Sequence, residues 1–249
     1  FNIPTIPSMI QTQTLLLLAF SYFLGSLPFA YLLGKFKKLN LKQVGTRNPG
    51  ASNLMVQAGI SIGILGMLLD ASKGMLVYWL ASLLGAQLKH RVWFALAVVS
   101  GHCWSFFLEF KGGRGVATAA GILFLLNPTV GLSIFIFYMF AGFLNYYGIY
   151  KVLSLPIDNA FATFIGIIWY VGLSSIQSNT PASTIGLYLG LLLLFRRITI
   201  NPKEYKHPGF YKIFIYRLVY DRPTLQKPIN RLEKKWKELQ SQQLDQSLT

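Results

Sequence analysis

Lys111-Gly112-Gly113-Arg114-Gly115-Val116-Ala117-Thr118 sets two cations and three glycines in a tight turn between long apolar segments. Glycine lets backbone N–H groups come close to an anion, and Lys and Arg supply the charge, so these types at this spacing suit phosphate. The helix expected to open here points its N-terminal dipole at the same place. A second polar knot, Gly45-Thr46-Arg47-Asn48-Pro49-Gly50-Ala51-Ser52-Asn53, follows the first apolar segment. Arg47 offers a guanidinium suited to bidentate phosphate binding. The Asn48 and Asn53 amides can donate to phosphate or hold the loop's own turns, which is the default beside Pro-Gly. Two phosphate-competent loops at a membrane surface point to chemistry on an anionic lipid precursor.

Other polar residues stand inside the apolar runs. Asp70 and Lys73 are three positions apart and so share a helical face. Either alone near mid-bilayer costs about 2.5–3.5 kcal/mol, so the pair needs a reason. Two readings stay open: a self-neutralised pair that locks packing, or a Lys73 facing phosphate with Asp70 orienting it. Ser26, in Gly25-Ser26-Leu27-Pro28, lies where Pro28 leaves a nearby carbonyl without its helical partner. Its hydroxyl serves catalysis or, the commoner fate, bonds its own helix. His102, late in the third run, is a general base or a packing residue. His90 and His207 lie far from it in sequence, so no metal site is expected. Cys103 is the sole cysteine, which excludes a disulfide within the chain.

The elements that must position these groups follow from composition. Of 249 residues, 53% are hydrophobic and 12% charged, about half the charged share of an average soluble domain. The apolar residues come in runs near the roughly 20 residues that a spanning helix needs. An all-α polytopic membrane protein is expected, with about seven spans near 12–34, 57–84, 91–108, 116–126, 129–149, 157–174 and 182–195. The chain starts at Phe1, and its first run lacks a preceding basic segment, so a spanning helix is expected there and not a cleaved leader. Asn127-Pro128 reads as a turn after the short fourth span.

The formal charge of +15 is concentrated: 12 of the 23 Lys and Arg residues lie from Arg196 onward. Lys35, Lys37, Lys38, Lys42, Arg47, Lys111, Arg114 and Lys151 fall on one side of the expected topology, against Lys89 and Arg91 on the other. The positive-inside rule then puts the N-terminus outside, with both glycine-rich loops and the C-terminus in the cytoplasm. Attraction to anionic lipid accounts for the basic tail more economically than nucleic acid does. The chain divides into a membrane domain, 1–197, and a basic cytoplasmic tail, 198–249. Ile229, Leu232, Trp236 and Leu239 near helical spacing admit an amphipathic helix over 229–243, although a solvated tail is the commoner outcome.

Three segments together resemble the bacterial acyl-phosphate-dependent glycerol-3-phosphate acyltransferases. Gly25-Ser26-Leu27-Pro28-Phe29-Ala30-Tyr31 and the Gly45–Asn53 loop are similar to that family's G-S-x-P-x-x-Y motif and glycine-asparagine loop. Leu69-Asp70-Ala71-Ser72-Lys73-Gly74 resembles its L-D-x-x-K-G, and Gly101 through Thr118 its G-H-x-F-P-x-F-L-x-F-K-G-G-K-G-V-A-T. The resemblance covers roughly residues 12–197. It implies transfer of an acyl group from acyl phosphate to the sn-1 hydroxyl of glycerol 3-phosphate, at the inner membrane of a bacterium, among membrane lipids and without cofactor. It casts Ser26, Lys73 and Arg114 as catalytic. Thr46, Arg47, Asn48, Asn53, Lys111, Gly112, Gly113 and Arg114 become phosphate-binding, and Asp70, His102 and Arg196 supporting.

Two departures stand out. Asn40-Leu41-Lys42 replaces the family's D-x-R, and a Lys does not reproduce a bidentate Arg. Arg196-Arg197-Ile198-Thr199-Ile200 stands where H-R-E-N-I-x-R-L should follow the last span. These departures keep a second reading open, a catalytically retired relative that binds lipid phosphates or partners. A transporter is the third, since Asp70 and Lys73 also suit an ion path, but no pair of interrupted spans supports it.

Overall fold

Long apolar runs broken by proline, glycine and short polar turns fold into an all-helical bundle, seen in a computed structural model that describes residues 8–147 and 159–199. In order come α1 (Ser8–Ser26), α2 (Phe29–Phe36), α3 (Ala51–Ala58), α4 (Ile60–Leu83) and α5 (Leu88–Cys103). After a 3-10 turn at Phe106–Leu108 follow α6 (Val116–Leu126), α7 (Pro128–Tyr147), α8 (Asn159–Ile176) and α9 (Thr180–Ile198). Four stretches are long and apolar enough to cross a membrane: Thr12–Phe36, Ile60–Leu83, Leu88–Leu108 and Thr180–Ile198. The tail and its expected helix at 229–243 lie outside the described residues.

Each of the seven expected spans meets a helix, and the boundaries differ where local chemistry intervenes. The first run is two helices, because Pro28 has no N–H to carry the ladder past Ser26. The third run leaves the helix after Cys103. Tyr22 Oη donates to the Trp104 carbonyl at 2.6 Å, and the chain turns through Phe106–Leu108. Two consecutive left-handed residues, Glu109 at φ 56° and Phe110 at φ 61°, bend it back toward the bundle. The predicted turn at Asn127 separates α6 from α7.

Helices in lipid associate through close backbone approach, since lipid tails are as apolar as leucine. α1 runs along α5 at such a distance that a Cβ on Gly25 would strike the Val98 carbonyl, and one on Gly101 the Tyr22 carbonyl. α4 runs along α6, and α8 packs between α7 and α9. The core lies where α4, α5, α6 and α9 meet, around Val77, Phe94, Val98, Ile122, Ile185 and Leu189.

The two ends of the bundle differ in their chemistry. At one end Asn127 Nδ2 donates to Gln177 Oε1 at 2.7 Å, and Asn179 Nδ2 to the Leu126 carbonyl at 3.2 Å. These bonds tie the α6–α7 turn to the α8–α9 turn. The opposite end gathers the break after α1, the polar loop before α3, the glycine-rich turn and the last turn of α9.

Candidate active site

The break after α1 frees three consecutive carbonyls, and each acquires a side-chain donor. Lys73 Nζ donates to the carbonyls of Gly25 at 2.8 Å and Leu27 at 2.9 Å. Ser105 Oγ donates to the carbonyl of Ser26 at 2.6 Å. Ser26 itself, fully buried, donates to the Tyr22 carbonyl at 2.9 Å and lies 3.4 Å from the Phe106 amide, which donates to it. Its hydroxyl thus does what membrane serines commonly do, while its position is fixed from three sides.

Lys73 Nζ also lies 3.0 Å from His102 Nδ1. Asp70 Oδ1 lies 3.0 Å from Lys73 Nζ and 3.6 Å from His102 Nδ1, and both charged side chains are almost fully buried. The pair therefore locks packing and holds α4 against the end of α1 and the end of α5. Lys73 turns toward helix carbonyls at the break after α1.

The glycine-rich turn packs onto His102. The Gly113 amide donates to the His102 carbonyl at 3.0 Å. A Cβ on Gly112 would strike that carbonyl, and one on Gly113 would strike His102 Nε2. Both glycines are thus required by close approach to α5, in addition to anything they offer an anion. From α9, buried Arg196 donates through Nε to the Gly113 carbonyl at 3.1 Å and through Nη2 to the Gly112 carbonyl at 2.9 Å. Its guanidinium lies 5.1 Å from the centre of the Trp104 ring. With both carbonyls held from that side, the turn is presented rigidly at the N-terminus of α6, where helix N–H groups have no intrahelical partner.

The loop before α3 is organised by Asn53. Its buried amide donates to the carbonyls of Leu41, Val44 and Asn48 at 3.0–3.1 Å, and its Oδ1 accepts from the Thr46 amide at 3.1 Å. Asn53 orders the loop with all its groups, which leaves Arg47, exposed and left-handed at φ 57°, at the rim. Lys42 Nζ donates to the Leu108 carbonyl at 3.2 Å and so ties this loop to the turn after α5. Lys111 is exposed and pairs loosely with Glu109 at 3.6 Å. Arg114 is half-buried and engaged within the fold.

Ser26, Asp70, His102, Ser105 and Gly113, with Pro49 and Leu108, line a narrow recess with space for about one water-sized group. Three sequence-distant motifs therefore converge on one recess, and Arg47, Lys111 and Arg114 stand within two residues of its lining in sequence.

Residues 15–206 match the sequence profile described as glycerol-3-phosphate acyltransferase. The chain belongs to that family. The glycerol-3-phosphate acyltransferase of Bordetella petrii is 33% identical over 201 residues, which cover 78% of this chain and 90% of that one. Glycerol-3-phosphate acyltransferase 4 of Dehalococcoides mccartyi is 29% identical over 195 residues, covering 77% and 81%. The crystal structure of PlsY (YgiH), an integral membrane glycerol 3-phosphate acyltransferase, in its glycerol 3-phosphate form superposes with a TM-score of 0.63 at 27% identity, over 74% of this chain and 88% of that one. Its lysophosphatidic acid form gives 0.59 at 26% identity, over 78% and 91%.

Within this glycerol-3-phosphate acyltransferase, three contributors escaped sequence reasoning. Ser105 stands where the similar motif has proline, and that departure was the available signal for a hydroxyl at the recess. Tyr22 gave none, because its partner is a carbonyl 82 residues away, and Lys42 stood out only as a departure from D-x-R, not for its bond to a carbonyl 66 residues away.

Proposed function

We propose that this membrane protein transfers the acyl group of an acyl phosphate to the sn-1 hydroxyl of glycerol 3-phosphate, releasing 1-acyl-glycerol 3-phosphate and phosphate for phospholipid synthesis. The convergence of the Ser26, Asp70–Lys73 and glycine-turn motifs on one recess carries this reading. Arg47, Lys111 and Arg114 hold the phosphates at the rim, with the first turn of α6 adding its N–H groups. Thr46 and Asn48 belong to the loop that Asn53 orders, and Gly112 and Gly113 form the floor. Ser26 bounds the reacting position. Charge gathered on the departing phosphate is stabilised by fixed cations and dipoles in a site shielded from water, the effect expected to contribute most. Acyl phosphate is already activated, so the hydroxyl attacks it directly and no acyl-enzyme is required. Two substrates held side by side supply much of the remaining acceleration.

Seven spans, with the N-terminus outside and the recess facing the cytoplasm, agree with the distribution of basic residues. In a bacterium the protein then sits in the inner membrane, among the lipids it helps to make. α6 has 11 residues and is about 16 Å long, against the roughly 30 Å of a hydrocarbon core. A helix this short favours a recess sunk below the headgroup plane, where the donor's chain stays in lipid while its head reaches the cations.

One observation favours a second reading. Arg196, in the segment that replaces the family's last motif, is committed to loop carbonyls, so it offers no proton acceptor at the recess. A retired relative that binds lipid phosphates fits that feature. Purified protein incubated with acyl phosphate and glycerol 3-phosphate decides between them. Lysophosphatidate and phosphate appearing together, and vanishing in a folded Arg114→Ala variant, are the expected result. Substrate binding without either product would sink the enzyme reading.

A further inference from the structure

Asp70 is a buried acceptor whose second oxygen the described residues leave unsatisfied. Its side chain is 1% exposed and lines the recess. Lys73 Nζ has the Gly25 and Leu27 carbonyls, His102 Nδ1 and Asp70 Oδ1 all within 2.8–3.0 Å, so its protons are shared among them. Asp70 Oδ2 has no hydrogen-bond partner among the described residues. The two serines of the recess are no help, since Ser26 donates to the Tyr22 carbonyl and Ser105 to the Ser26 carbonyl. An ionised carboxylate accepts only, at about four lone-pair sites, and a buried acceptor left unmet is destabilising.

A donor for Oδ2 comes with whatever enters the recess, a water in the free protein or a hydroxyl of the ligand that displaces it. A phosphate brings oxygen acceptors and negative charge, and the carboxylate repels it. A polyol brings hydroxyl donors. Glycerol 3-phosphate has both ends, so the recess and its rim sort them, with the phosphate toward the cations of the two loops and the hydroxyls inward. We propose that Asp70 accepts a hydrogen bond from a hydroxyl of the glycerol unit and thereby sets the direction in which the acceptor enters; this rests on the acyl-transfer reading above. A site built around an unmet acceptor discriminates strongly against an analogue that lacks the matching hydroxyl. Lys73 then has a second use: it keeps the carboxylate charged from the Oδ1 side and leaves Oδ2 open.

Calorimetric titration of the full chain in detergent with glycerol 3-phosphate, 3-hydroxypropyl phosphate and 2-hydroxypropyl phosphate tests this. The two analogues lack the 2-hydroxyl and the 1-hydroxyl respectively. At least one should bind tenfold or more weakly than glycerol 3-phosphate, which also identifies the hydroxyl that is read. In Asp70→Asn the gap should close to within about twofold. Where that variant does not fold, Asp70→Asn/Lys73→Met, which withdraws both buried charges together, takes its place. Equal binding of all three phosphates by the unaltered protein overturns the proposal. So does a variant that keeps the tenfold gap, or that weakens all three by the same factor, because Asp70 is then only a counter-charge. Discrimination without lysophosphatidate formation sinks acyl transfer and leaves the Asp70 contact standing. No binding of any of the three by folded protein sinks both.

Discussion

Arg196 holds two carbonyls of one loop with two nitrogens of a rigid fork, an arrangement in which a point charge is no substitute. Arg196→Lys keeps the charge and loses the geometry, so it should behave much like Arg196→Ala. Each should lower kcat/KM for lysophosphatidate formation by about 100-fold, the size of loss expected when a positioning element moves by about 1 Å. A lysine variant with near-normal turnover would show that Arg196 supplies charge alone. Glu109 gives the contrast. Its contact with Lys111 is exposed on both sides, and such surface pairs contribute little, so Glu109→Gln should leave turnover within about twofold. Asn53 is the residue whose loss should be felt as stability. Its amide joins Leu41, Val44 and Asn48 from inside the protein, and Asn53→Ala strands buried carbonyls at about 1–3 kcal/mol. Thermal unfolding in detergent should show a lowered midpoint, with acyl transfer falling as the loop loosens.

Helix against helix, the glycines divide into those that permit contact and those that only cost helix stability. A Cβ on Gly74 of α4 would strike the Thr118 carbonyl of α6, a backbone atom that cannot swing aside. Gly74→Ala should therefore destabilise by about 1–3 kcal/mol, as overpacking does. Gly172 of α8 has nothing within 4 Å of such a Cβ, so Gly172→Ala should raise the unfolding midpoint through the roughly 0.5–1 kcal/mol that alanine gains in a helix. The same midpoint measured for both variants checks the pair, and a matching drop would mean the α4–α6 approach is not the cause. Element existence was legible in the apolar runs, because a membrane leaves helices little to do except be long and apolar. Element ends were less legible. Pro28 announced a break, but nothing local revealed that Ser105 and Lys73 would cap it, since one comes from the turn after α5 and the other from α4, both far along the chain. The Asp70–Lys73 spacing correctly placed both groups on one face. It did not show that His102 would complete the cluster, because that requires α4 and α5 to meet at a depth that spacing does not encode. The glycine turn was read for phosphate, while its packing against His102 was visible only once α5 ended beside it.

On the scale of the whole bundle, sidedness decides whether this recess meets soluble glycerol 3-phosphate at all. The loop before α3, the glycine turn and the end of α9 are linked to one another by Lys42 and Arg196, so they occupy one end together. Asn127 and Asn179 mark the other end. The proposed orientation rests on the excess of Lys and Arg on the loop side. The chain offers a clean probe, because Cys103 is its one cysteine and is fully buried. Lys38 and Lys89 are exposed and lie at opposite ends. With a membrane-impermeant maleimide on intact bacterial spheroplasts, Lys89→Cys should label and Lys38→Cys should not. Inverted vesicles should reverse the pattern. Labelling of Lys38→Cys from outside would turn the bundle over and place the recess away from the cytoplasmic acceptor, a topology in which the proposed acyl transfer has no substrate.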